Sequence, residues 1–234
     1  MSSDLNKKLL QLRDPTHPLL LKLRKKAPWT YYHSLLVWEV ASFACLNFKN
    51  SNPLLTIVWA RFHDIWKMVH PFAYAENQED GDYPFLPEMI KDHVKQGIDM
   101  ARAFNLPEEV VRFIKTHHWT SFAPEEKESQ RQCYDMSEKP ISVEETLVML
   151  ADSCEAAIRW YRWEYTKDNI RWVIQKVFLD KEEKDQLRSS VLISADFREV
   201  EDDYTDSFYF VHHRRFATED SKKDDKNSFK KKSL

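Results

Sequence analysis

Apolar residues recur at helical spacing along almost the whole chain, and no run sustains the two-residue alternation of a half-buried strand. SLLVWEVASFACLNF puts Leu35, Leu36, Val40, Phe43 and Leu46 on one stripe. NPLLTIVWARFHDIWKMV opens with Asn52 as a capping residue and Pro53 at the first helical position, where the missing N–H has no partner to lose. PEMIKDHVKQGIDMARAF begins after Pro87 and ends near Asn105. PEEVVRFIKTHH starts at Pro107, with acids facing the positive end of the helix dipole. VEETLVMLADSCEAAIRWYRW follows Ser142, which forms a capping box with Glu145. KDNIRWVIQKVFL and SADFREVEDDYTDSFYFVHHRRF read as two further helices. The pattern predicts an all-α fold, a single helical bundle.

Hydrophobic residues make up 42% of the 234, enough for a core. Residues 1–26 read as a helical lead-in, 27–218 as the folded domain, and 219–234 as a charged tail too poor in apolar residues to fold. Segments 70–86 and 121–141 are irregular. A net charge of −3 excludes a chain built to coat nucleic acid, so no DNA partner is expected. Cys45, Cys133 and Cys154 are an odd, scattered set that excludes a disulfide framework. The N-terminus lacks an apolar signal core, and no segment is long enough to cross a bilayer. A cytoplasmic location is the expectation.

The histidines fall on predicted helices. His33 lies in TYYHS, His63 and Asp64 form a doublet in FHDIWK, and His93 lies in KDHVKQG. His117 and His118 end a helix, and Asp152 lies in LADSCEA. Imidazoles and carboxylates together suit Fe, Mn, Zn or Ni. Five histidines and two aspartates are too many for one catalytic ion with an open position. They fit two divalent transition ions, with Mn or Fe favoured. Two ions about 3.5–4 Å apart can clamp the attacking and leaving oxygens of a phosphoryl displacement. His212 and His213, in VHHRR, lack partners at useful spacing and are expected to be exposed.

The ordered set resembles the HD superfamily of metal-dependent phosphohydrolases, and more narrowly the cytosolic HD domain of seven-transmembrane-HD cyclic di-AMP phosphodiesterases. The matching stretches are DPTHPLL, APWTYYHSLLV, NPLLTIVWARFHDIWK, ENQ, DHVKQGIDMA, LPEEVVRFIKTHHWTS and VMLADSCEAA, with a weaker match through DQLRSSVLISADF to FYFVHHRRF, together over residues 8–218. The resemblance implies a single HD-domain bundle that hydrolyses cyclic di-AMP to the linear dinucleotide. It implies metal roles for His33, His63, Asp64, His93, His117, His118 and Asp152, with Asp64 bridging the ions. Lys67, one turn on, would balance charge on the phosphate as a catalytic residue. His70, Asn77 and Thr120 are candidate substrate contacts, His70 standing where the family has arginine. The family's membrane part is not in this sequence; either the domain stands free or a membrane-attached N-terminal portion precedes it. Alternatives remain: another cyclic dinucleotide, another nucleotide or an RNA end as substrate, or an impaired HD module that binds without turnover.

Glycine is almost missing: two residues, Gly81 and Gly97, where average usage gives about 16. Tryptophan occurs eight times. The family has glycine where this chain has Trp29, Trp66 and Trp119, and often at Trp38 and Trp59. The expectation is that these five are misread glycines, from a lineage in which UGA encodes glycine. Otherwise Trp66 and Trp119 belong to a divergent site.

Overall fold

The computed structural model describes residues 3–71, 93–116, 139–161 and 164–231, with side chains described over 3–71, 95–115, 139–161 and 164–214. Among these, nine α-helices and no strand occur: α1 Ser3–Leu12, α2 Pro18–Lys26, α3 Pro28–Cys45, α4 Pro53–Phe62, α5 His93–Ala103, α6 Glu108–Thr116, α7 Val143–Tyr161, α8 Lys167–Glu183 and α9 Ser194–Lys231. The fold is the all-α bundle that the periodicity predicts.

Helix starts follow the sequence signals. Pro18, Pro28 and Pro53 each open a helix. The Asn52 side chain accepts from Leu54 N at 3.0 Å and Leu55 N at 3.3 Å, satisfying donors that have no partner inside the helix. Ser142 Oγ accepts from Glu145 N at 3.1 Å, while Glu145 reaches back to Ile141 N at 2.7 Å. Two ends normally given to glycine are not. Asn105 (φ 54°) closes α5 and Asp185 (φ 59°) closes α8. In each case a later amide returns to the helix: Leu106 N to Ala101 O and Gln186 N to Lys181 O, both at 2.9 Å. Short polar side chains thus replace glycine at left-handed positions.

Helix α3 is central and packs against α2, α4, α7 and α9. Helix α7 is buried at every position from Glu144 to Asp152. One continuous core draws on all nine helices, so α1 and α2 belong to the bundle. Tyr204 of α9 is fully enclosed and donates its hydroxyl to Leu147 O at 2.5 Å, fixing α9 on α7. Helix α9 runs on to Lys231, through the charged stretch expected to lack structure. That stretch has almost no apolar residues, so its helix rests on backbone hydrogen bonds and propensity.

The reading of residues 52–69 as one helix needs correction. Helix α4 stops at Phe62, Asp64 turns to φ −108°, ψ 20°, and a 3-10 helix follows over Ile65–Met68. Neighbours in an α-helix point about 100° apart, following its 3.6 residues per turn. The break lets His63 and Asp64 turn toward one place.

Candidate metal centre

Three elements meet there. Helix α3 supplies His33, the end of α4 supplies His63 and Asp64, and α7 supplies Asp152. One ligand atom from each of the four lies within 4.8 Å of the others. His33 Nε2 is 2.9 Å from Asp152 Oδ1 and 3.7 Å from Asp64 Oδ2. His63 Nε2 is 3.1 Å from Asp64 Oδ2 and 3.5 Å from Asp152 Oδ1. The two imidazole Nε2 atoms approach to 3.3 Å. His63 Nδ1 faces Ala60 O at 2.8 Å, which leaves Nε2 turned inward.

All four side chains are buried or nearly so. Burial alone would lower the pKa of His33, but Glu155 and Asp152 outweigh it and raise the imidazole to about 9. Burial likewise opposes ionisation of His63, yet Asp64 and Asp152 raise it to about 10. Burial favours the neutral acids, but His33 and His63 hold Asp152 well below the ordinary carboxylate range. The enclosed carboxylates of Asp64, Asp152 and Glu155 therefore call for positive charge, which protons on the imidazoles can supply. A divalent ion would provide it instead, and would satisfy two inward-facing Nε2 atoms that cannot both donate to each other. The donor set fits an Fe-, Mn- or Zn-type ion.

Lys67 is at the cluster, with Nζ 2.9 Å from Asp64 Oδ2. Glu155 is a residue that the sequence reading missed. Its Oε2 is 2.5 Å from His33 Nδ1, and Arg159 Nη2 is 3.2 Å from the same oxygen. Burial raises the Glu155 pKa, but His33 and Arg159 bring it down to about 2. A signal existed: Glu155 is three residues beyond Asp152 on a helix, and so lies on the same face.

The remaining candidates divide. His93 begins α5, but its side chain lies outside the described residues, as do Asn77, His117, His118 and Thr120 in full. His70 is exposed beyond the 3-10 helix and outside the four-residue cluster. The expected exposure of His212 is corrected: it is buried and stacks on Tyr165, with centroids 4.1 Å apart. His213 is exposed as expected.

Four of the five tryptophans in question are described, and none has a positive φ. Trp29 is exposed. Trp38 lies under the Arg61 guanidinium at 4.3 Å, and Trp59 stacks on Phe113 at 5.0 Å. Among the described residues, the buried indole N–H groups of Trp38 and Trp59 find no acceptor. Trp66 is buried against Gly97, where an added Cβ would lie 3.3 Å from the indole and 2.8 Å from Ile114 Cγ2.

Fold and cluster together define an all-α protein built around a site suited to a divalent metal. The chain belongs to the HD domain family, which it matches over residues 30–157. It is 31% identical to an uncharacterized protein of Synechocystis over 90% of its length. It is 35% identical, over 65% of its length, to the cyclic-di-AMP phosphodiesterase PgpH of Bacillus subtilis. It is 28% identical, over 92%, to PgpH of Listeria monocytogenes. The chain spans only 28%, 24% and 32% of the length of these relatives. The crystal structure of the L. monocytogenes PgpH HD domain superposes with a TM-score of 0.77 at 28% identity, covering 85% of this chain and 100% of that one. The same domain in complex with cyclic-di-AMP gives a TM-score of 0.74, covering 85% and 99%. Among the described residues, no helix is long and apolar enough to cross a membrane.

Proposed function

We propose that the chain is a two-metal phosphodiesterase that opens a cyclic dinucleotide, cyclic di-AMP foremost, to the linear dinucleotide. The observation that carries this reading is the buried convergence of His33, His63, Asp64 and Asp152. The likeness to a domain crystallised with cyclic-di-AMP supports the substrate class. Asp64 would bridge two ions, which His33, His63, His93, His117, His118 and Asp152 would hold. Bound there, the ions would supply Lewis acidity toward the phosphodiester. Lys67 orients Asp64 through their 2.9 Å contact and brings a positive charge to the cluster, where negative charge develops on the phosphate. His70, Asn77 and Thr120 are proposed to touch substrate. The reaction is placed in the cytoplasm, whether the domain stands free or follows a membrane-attached portion.

A second reading is an impaired HD module that binds nucleotide without turnover. It rests on Trp66, a buried indole two residues from Asp64. A panel assay separates them: purified protein with Mn²⁺ and, separately, cyclic di-AMP, cyclic di-GMP and a short RNA. Linear di-AMP as the dominant product is the expected result. Binding of cyclic di-AMP with no product would support the second reading, and preferential cleavage of another substrate would reassign the specificity.

A further inference from the structure

The geometry points to Glu155 and Arg159 as a positioning pair for the metal ligand His33. This inference rests on the metal-centre reading above and adds to it two residues that are not ligands.

An imidazole can offer a metal one nitrogen only while the other carries the proton. His33 meets the ligand cluster through Nε2. Its Nδ1, on the opposite side of the ring, meets Glu155 Oε2 at 2.5 Å. Glu155 is 4% exposed, so water does not compete for that contact. A carboxylate there holds the proton on Nδ1, keeps the Nε2 lone pair available and makes it more basic. Glu155 must itself stay in place. Arg159, one turn further along α7, does this through an ion pair, its Nη2 3.2 Å from Oε2. The Arg159 side chain is 40% exposed, so the guanidinium carries a link from solvent to the ligand ring. Glu155 and Asp152 lie on one face of α7 and grip the two nitrogens of the same imidazole. Rotation of the His33 ring would break both contacts.

Two substitutions test the pair, with Mn²⁺ affinity measured by calorimetry on the full chain. Glu155→Gln keeps volume and an acceptor oxygen but removes the charge. It should weaken Mn²⁺ binding by about 10- to 100-fold, the range for a lost partner of a ligating histidine. In a His33→Ala background the same change should have almost no effect, because its target is gone. Arg159→Gln, at a half-exposed position, should weaken binding several-fold in the same direction. As a second readout, ¹⁵N shifts of His33 in Zn²⁺-loaded protein should report Nδ1–H in the parent and a mixed state in Glu155→Gln. Unchanged affinity in both variants overturns the assignment. So does an equal loss with and without His33, which marks a general structural effect. If the parent takes up no Mn²⁺, the metal-centre reading falls and this inference with it; if the parent binds and the variants match it, only this inference falls.

Discussion

His33 Nε2 lies 2.9 Å from Asp152 Oδ1, joining residues 119 positions apart in the sequence. Helices α3 and α7 pack against each other, α3 giving core residues from Val37 to Cys45 and α7 from Leu147 to Ile158. The site is therefore held between two helices of the core.

Asp64→Ala should abolish phosphodiester turnover and lower bound metal further than His118→Ala. The proposed bridge gives Asp64 two ions to hold, and an outer ligand only one. Metal content by elemental analysis, beside turnover of cyclic di-AMP, checks this. Turnover that survives in Asp64→Ala defeats the two-metal mechanism.

Lys67→Met should lower kcat by about 10²-fold, the range for removing one electrostatic stabiliser, while bound metal stays near the parent level. The 2.9 Å contact with Asp64 sets a limit on the second expectation. If metal is lost in proportion to rate, Lys67 acts by holding Asp64 and not on the phosphate.

The metal-free protein should lose stability in alkali. His33 and His63 have folded pKa values of about 9 and about 10, raised from 6.5. Their contribution is complete below pH 6.5 and disappears as pH rises through those folded values, because the folded state holds protons that the unfolded chain releases. Glu155, lowered to about 2 from 4.5, acts oppositely: its contribution is present above pH 4.5 and lost as pH falls through 2. Urea midpoints with a chelator between pH 5 and 10 should therefore fall above neutrality. Saturating Mn²⁺ should flatten the fall, since metal ligation needs the neutral imidazoles. A flat profile without metal would show that the two rings are not charged in the folded state.

The tryptophans can be tested singly and together. Trp59→Gly alone should destabilise by about 3–5 kcal/mol, since it empties a stacked site and puts glycine inside a helix. Trp29→Gly, at an exposed position, should cost no more than about 1 kcal/mol. If the five are misread glycines, changing Trp29, Trp38, Trp59, Trp66 and Trp119 together should let α4 close on α6. That variant should melt above Trp59→Gly and show higher phosphodiesterase activity. Intact mass of the protein made in its own cells decides the decoding. A mass with all eight tryptophans ends the recoding idea.

Much of the bundle was legible because its signals are local. Pro53 and Asn52 announce α4, and Ser142 with Glu145 announces α7, through caps that act within one turn. The four clustered residues were legible because two aspartates and two histidines stand at fixed places on strongly periodic segments. Glu155 was not, because a buried glutamate in EAA looks like any helical glutamate until α3 brings His33 to it. The end of α4 was also missed. FHDIWKMV continues the apolar pattern, and only the demand that His63 and Asp64 serve one place breaks it. His212 was misjudged for a similar reason: its partner, Tyr165, is 47 positions away and visible only once α9 is packed.

The early stop of α4 has a consequence for how such a centre can arise and persist. Two donors come from consecutive residues, so a single backbone joint aims both, and only an insertion directly between them can separate them. A helix that regained one more turn at this point would turn His63 and Asp64 apart without altering a letter of either. The doublet thus depends on a local backbone choice as much as on its side chains. Substitutions in IWKM that favour a continuous α-helix would disable the centre while leaving every donor in the sequence.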